Sequence, residues 1–141
     1  MSRIWTHDVT MSPARIHHFW FGGVADWSTV YQRHHKMWFR GGEQVDRRIR
    51  ERFLSTIHAA NAGLLDHWVA QPRGALSLVL VLDQFPRNVF RRSPLAFACD
   101  TRARRVLDRC LQRGDDAALS PIERSFLYLP YEHAEDLALQ D

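Results

Sequence analysis

Lysine is all but missing from this sequence. Lys36 is the single example, and the remaining cations among the 19 basic residues are arginines. Guanidinium groups bind carboxylates and phosphates bidentately, so the bias either serves recognition of such groups or is a habit of composition. The arginines alternate with acids, as in Asp46-Arg47-Arg48-Ile49-Arg50-Glu51-Arg52, although the net charge is +3 and the isoelectric point is near 9.3. That interleaving reads as a solvated helix face and argues against a nucleic-acid stripe. Cysteine is scarce too: Cys99 and Cys110 are too few for a disulfide framework, and their spacing fits no metal motif, so they read as structural thiols. No apolar run reaches the length of a membrane span. The longest, Ala75 to Leu82, is interrupted by Ser77. Met1 to Thr10 has neither the apolar stretch nor the cleavage site of a secretory signal, so a cytoplasmic protein is expected. P-loop, G-x-G-x-x-G and G-x-S-x-G elements are all absent, which withdraws support from nucleotide hydrolysis, dinucleotide redox chemistry and α/β-hydrolase chemistry.

Of the 141 residues, 45% are hydrophobic and 25% charged, the balance of one globular domain with a core of its own. We expect that domain to span residues 1–141, with 1–12 a flexible or loosely packed N-terminus. Ser12-Pro13 reads as N-cap and first residue of a short helix closed by Gly22-Gly23. Asp26 to Arg40 is rich in aromatics, and Gly41-Gly42 breaks the chain again. Glu43 to Asn61 is the clearest amphipathic helix, with Val45, Ile49, Phe53, Ile57 and Ala60 at three- and four-residue steps. Gln71 to Gly74 reads as a loop. Ala75 to Leu82 is apolar almost all round, and with no second strand-like run to pair with, helix is the expectation. Phe85-Pro86 is expected to force a turn, and Pro86 and Pro94 to bracket one. Ser93-Pro94 opens a helix from Leu95 to about Arg113, with Phe97, Val106, Cys110 and Leu111 inward. Ser120-Pro121-Ile122-Glu123 is a capping box for a last helix, kinked at Pro130. The sum is an all-α fold of stacked antiparallel helical hairpins.

Three polar clusters stand beside this apolar framework. Asp83, Gln84, Arg87, Asn88 and Arg91 follow the most hydrophobic helix, where polar groups must be paired. They read either as an anion-binding corner, with Arg87 and Asn88 gripping a carboxylate or phosphate, or as a buried network closing the helix end. Glu132, His133 and Asp136 share one helix face, the raw material for acid/base work or a metal site, or else a surface charge cluster. No recognised metal motif is present. The third feature is the surplus of histidine, eight in all, with His17-His18 and His34-His35 as adjacent pairs. Neighbouring residues on a helix do not share a face, so neither pair chelates alone. His17, near Tyr31 or Trp38, could supply one axial ligand in an aromatic pocket, as could His35 or His133.

Phe19-Trp20-Phe21-Gly22, Trp38-Phe39 with Asp46 and Phe53, Leu82 through Arg91, Ala96-Phe97 with Asp100, and Phe126 to Pro130 running into Glu132-His133-Ala134-Glu135-Asp136 together resemble an uncharacterised bacterial family, domain of unknown function 924. The likeness runs from about Ile16 to the last residue. D-Q-F-P-R-N-x-F-R and L-P-x-E-H-x-E-D are specific in combination. The resemblance implies an all-helical, tetratricopeptide-like fold and carries no activity with it. Members of that family usually continue into a further helical segment, whereas this chain stops at Asp141. An uncovered face is then expected to meet a second copy of the chain, a partner peptide or a planar cofactor.

Three functions follow as expectations. The first is a small-molecule-binding domain, or an enzyme acting on a small acidic or aromatic substrate. Its pocket would lie between the two motifs, with Arg87, Asn88, Arg91, Asp83, Gln84 and Trp38 holding the ligand and His133, Glu132 and Asp136 catalytic. The second is a histidine-ligated haem protein oxidising an aromatic substrate. The third is a tetratricopeptide-type interaction module. A homodimer through the face left uncovered after Asp141 is a further expectation. Nucleic acid and membrane are not expected partners.

Overall fold

The computed structural model describes residues 11–23 and 26–140, and every regular element among them is helical. Of the expected loose N-terminus, only Met11 and Ser12 lie within the described residues. Helix α1 (Pro13–Phe21) starts where Ser12 Oγ accepts from the Arg15 N–H at 3.2 Å. It stops at Gly22, whose φ of +81° turns the chain out of the helix while its N–H bonds His18 O. Helix α2 (Trp27–Arg40) is capped by Asp26, which accepts from the Ser28 N–H and the Thr29 hydroxyl. Helix α3 (Gly42–Asn61) buries Val45, Ile49, Phe53, Ile57 and Ala60, the stripe its periodicity predicts.

The next stretch departs from expectation. A 3₁₀ turn, Asp66–Ala70, leads into α4 (Pro72–Val79), so the loop expected over 71–74 is the first turn of a helix. Pro72 at the first helical position loses nothing, because that N–H has no intrahelical acceptor. Gly74 is there because the chain crosses itself: a Cβ at that position would stand 2.0 Å from the Trp68 carbonyl oxygen. Nor does Phe85-Pro86 turn the chain. Leu80–Gln84 widens into a π turn and α5 (Phe85–Val89) continues the helical path. Pro86 has no N–H to donate back and its ring crowds the carbonyl four residues earlier. The π turn, closed by the Phe85 N–H on Leu80 O, opens the helix at that point.

The helix expected from Leu95 to Arg113 is also divided. Pro94–Phe97 is a 3₁₀ turn and α6 (Asp100–Gln112) follows a break. Val106 and Cys110 are inward as expected, Leu111 is half-buried, and Phe97 is exposed. Its ring lies over the Arg87 guanidinium, 5.1 Å away, instead of in the core. After a 3₁₀ turn at Asp115–Ala118, Ser120 and Glu123 form the expected capping box at the start of α7 (Pro121–Leu127). The expected bend comes at Tyr128, two residues ahead of Pro130, and α8 (Leu129–Gln140) follows.

The rod formed by α4, the π turn and α5 runs through the middle. It packs against α1, α3, α6, α7 and the 3₁₀ turn at 66–70. Ala75, Leu76 and Leu78 through Leu82 are fully buried. Contact on every side explains why no periodicity is visible there. One end of the core is aromatic: Trp38 packs on Phe126 at 4.9 Å and donates its indole N–H to Trp20 O. Both cysteines are free and buried. Burial raises both thiols, Cys110 to about 11, so they are structural. No helix among the described residues is long and apolar enough to cross a membrane.

Gly74→Ala is expected to cost about 2 kcal/mol or more, because two backbone segments must separate to admit a methyl group. Gly114→Ala has open space around it and carries only the cost of its φ of +72°, about 1 kcal/mol. Urea denaturation of the two variants checks the difference.

Candidate functional site

The polar residues that follow the apolar rod are held by carboxylates from other helices. Arg87 forms a two-pronged ion pair with Asp100 at the start of α6, with N···O distances of 2.8 and 3.1 Å. It also donates to the Asp83 carbonyl at 2.9 Å. Asp46 of α3 plays the same part for the next turn. It takes two bonds from Arg91, at 2.8 and 2.9 Å, and one from the Asn88 amide at 2.9 Å. Gln84 donates to Asn88 Oδ1 at 2.8 Å, which fixes the Asn88 amide for its bond to Asp46. Burial pulls the Asp46 carboxyl up, but the bonds from Arg91 and Asn88 outweigh it and hold the group below the usual carboxylate range. The guanidinium of Arg91 is raised in turn by its bond to Asp46.

Asp83 is fully buried in the π turn. Its Oδ2 lies 3.5 Å from the Arg87 guanidinium, and its Oδ1 lies 2.7 Å from Nδ1 of His133 on α8. The His133 approach has ion-pair distance without hydrogen-bond alignment, leaving both Asp83 oxygens and the His133 nitrogen without a well-directed bond. The two motifs therefore meet through this one contact. Glu132 and Asp136 stand exposed on α8. They are not the carboxylates that hold the arginines; that work falls to Asp100 and Asp46.

Two adjoining cavities open over this network. One, of about 390 Å³, is lined by Trp38, Gln84, Arg87, Asn88 and Arg91 together with Arg40 and its neighbours. The other, of about 710 Å³, shares Gly42, Asn88 and Arg91 with it and adds Glu43, Asp46, Arg47, Arg50 and Arg92. Five of the six residues expected to hold a ligand thus line one cavity, with Asp83 buried behind them. No residue of the Glu132–Asp136 cluster lines either cavity, so the cavities described here do not lie between the two motifs. Residue patterns did not single out Arg40, Arg47, Arg50 and Arg92, because each belongs to a charged helix face or a loop in sequence. Arg92 has φ +67°, the only positive φ among described non-glycine residues.

Of the histidines considered as axial ligands, His35 commits Nδ1 to Tyr31 O and His17 commits Nε2 to Glu123 at 2.7 Å. No cluster of His, Cys, Asp and Glu among the described residues has the makings of a metal site. Glu123 was visible in sequence only as the capping-box acid. Its Oε1 does take the Ser120 N–H at 3.0 Å, while Oε2 meets both His17 and Arg73. Burial pulls this carboxyl up, but the bonds from His17 and Ser120 and the charge of Arg73 prevail and bring it to about 2.

Residues 16–141 match the family described as "Bacterial protein of unknown function (DUF924)". The chain belongs to that family. A solved structure with the same fold is that of the protein of unknown function ATU0120 from Agrobacterium tumefaciens. It is 37% identical, with a TM-score of 0.77, and the match covers 91% of this chain and 67% of that one. No curated protein matches the sequence. The DUF924 assignment agrees with the motif resemblance and with the all-helical structure.

Two predictions follow from this geometry. Asp100→Ala strands the Arg87 guanidinium beside a buried network and is expected to cost about 3 kcal/mol. Glu132→Ala, at an exposed position, is expected to stay within about 0.5 kcal/mol; urea midpoints compare them. Glu123, depressed from 4.5 to about 2 in the folded state, stabilises the fold above its unfolded value. That contribution, about 3 kcal/mol by linkage, fades as pH falls through this window. Glu123→Gln is expected to remove that part of the acid dependence, seen as a flatter pH profile of stability below 4.5.

Proposed function

We propose that this DUF924 domain binds a small polyanion, bearing phosphate or carboxylate groups, in the double cavity over Gln84 to Arg92. One observation carries the reading: Arg40, Arg47 and Arg92 line the cleft with no carboxylate of the described residues at ion-pair distance. Arg87 and Arg91 lie beside them but are neutralised by Asp100 and Asp46. The motif arginines thus frame the cleft, and the ligand charge falls to their uncommitted neighbours. Guanidinium groups suit that task, since their planar forks bind oxyanions with two parallel bonds. The left-handed backbone of Arg92 adds support, because such conformations persist where the surroundings enforce them and concentrate at ligand sites. Trp38 offers an apolar wall for the rest of the molecule.

Pyrophosphate is a suitable probe. Titration calorimetry at low salt is expected to show saturable binding that weakens steeply with ionic strength. An Arg47→Ala/Arg92→Ala double variant is expected to bind at least about tenfold more weakly, the equivalent of losing one charge-assisted hydrogen bond. Undiminished affinity in the double variant would remove the proposal. The contact of His133 with buried Asp83 favours a second reading, in which His133 acts on a ligand reaching α8.

A further inference from the structure

The largest of the described cavities, about 980 Å³, lies elsewhere, between α1, the 3₁₀ turn at Asp66–Ala70 and the start of α4. Its wall is chiefly apolar, with Leu64, Leu65 and Trp68 on one side, and Leu64 stands 68% exposed. The polar exceptions are Ser12, Gln71, three histidines (His17, His18 and His67) and Arg73.

His17 is held in an unusual way for a wall residue. Its Nε2 sits 2.7 Å from Oε2 of Glu123, a carboxylate whose side chain is 1% exposed, and Arg73 Nε meets the same oxygen at 3.2 Å. The other Glu123 oxygen is already taken by the Ser120 N–H, so the carboxylate cannot swing away. A fixed, ionised acceptor at Nε2 selects the tautomer with its proton there and leaves the lone pair on Nδ1. Nδ1 has no hydrogen-bond partner among the described residues, and the His17 side chain keeps 17% of its surface exposed. Phe21 packs on the imidazole, 4.8 Å between centroids, and Trp27 meets it edge-on, which restrains the ring further. This is the arrangement of an oriented base: a carboxylate on one ring nitrogen, the other without a partner among the described residues, and an apolar chamber that the histidine lines.

We propose that this cavity is a second binding site, separate from the arginine cleft, for an aromatic molecule carrying one phenolic hydroxyl, and that His17 Nδ1 takes the hydroxyl proton. In that step the ligand O–H bond breaks and an N–H bond forms on Nδ1. The product is a phenolate beside an imidazolium, whose charge the Glu123 carboxylate balances through Nε2–H. Leu65 and Trp68 supply the face for the ring. Arg73 among the lining residues also favours the anion.

4-Nitrophenol tests this directly, because its phenolate has a visible absorption band that the neutral phenol lacks. At a pH where the free phenol is mainly protonated, the full-length protein is expected to bind it saturably and to raise that band. His17→Phe keeps a ring in place and is expected to abolish the band. Glu123→Gln is expected to diminish it about tenfold or more. Should either variant fail to fold, Leu64→Glu, at an exposed position away from the pair, is expected to weaken binding at least tenfold. Arg47→Ala/Arg92→Ala is expected to leave the band unchanged, which separates this site from the arginine cleft. Three results would each overturn the proposal: no saturable binding by the unmodified protein, binding without phenolate formation, or a band indifferent to both His17→Phe and Leu64→Glu.

Discussion

A carboxyl side chain at the end of a rod with no solvent-facing side imposes conditions on everything near it. Asp83 follows a run of residues from Ala75 to Leu82 that are almost wholly buried, and a polar group in that position must find partners or unfold the structure. The helical path meets the need by not stopping. The π turn carries the chain past Pro86, so Arg87 folds back one turn to bond the Asp83 backbone carbonyl. The Arg87 cation stands 3.5 Å from the carboxylate, which His133 approaches from α8. Charge at ion-pair distance, without aligned hydrogen bonds, is what answers the buried carboxyl. Asp100 and Asp46, brought by α6 and α3, then neutralise Arg87 and Arg91. Four helical elements are tied at one corner by ion pairs whose members lie far apart in sequence. Such a network contributes less to stability than its number of bonds suggests, because each charge must first leave water. What it does provide is a fixed geometry, since few other packings would leave so many polar groups paired.

The same corner sets where chemistry is available. Neutralising Arg87 and Arg91 removes them as free anion ligands but holds their side chains as the floor of a cleft. The uncommitted arginines gather around that floor because α3 and the segment after α5 converge there. On the far side of α1 the logic is inverted. There a buried carboxylate, Glu123, serves one histidine at the wall of an apolar chamber. The two cavities thus have different surroundings, and they share no lining residue.

Where local signals agree with tertiary packing, the helices were legible in the residues themselves. The caps at Ser12 and Ser120 and the stripe from Val45 to Ala60 needed no knowledge of the fold. Where proline dominates the local signal, helix is hidden in the sequence. Pro72 was taken for loop and Pro86 for a turn, yet both lie in helix, because one occupies a first turn and the other follows a π turn. Phe97 misled for another reason: a cation outside the core claimed its face.

Sequence by itself determined that the chain is all-helical, that it carries the DUF924 motifs, and that Gln84, Arg87, Asn88 and Arg91 form one polar cluster, since periodicity, caps and short-range spacing are local properties. The choice of carboxylates that pair with the arginines, the gathering of Arg40, Arg47 and Arg92 at one opening, and the joining of His17 to Glu123 across 106 residues were decided only by tertiary structure. Ion pairing depends on distance in space, and a chain of interleaved acids and arginines contains many candidate pairs. Packing of the buried rod selects among them, because the helices must dock so that the rod is covered on every side.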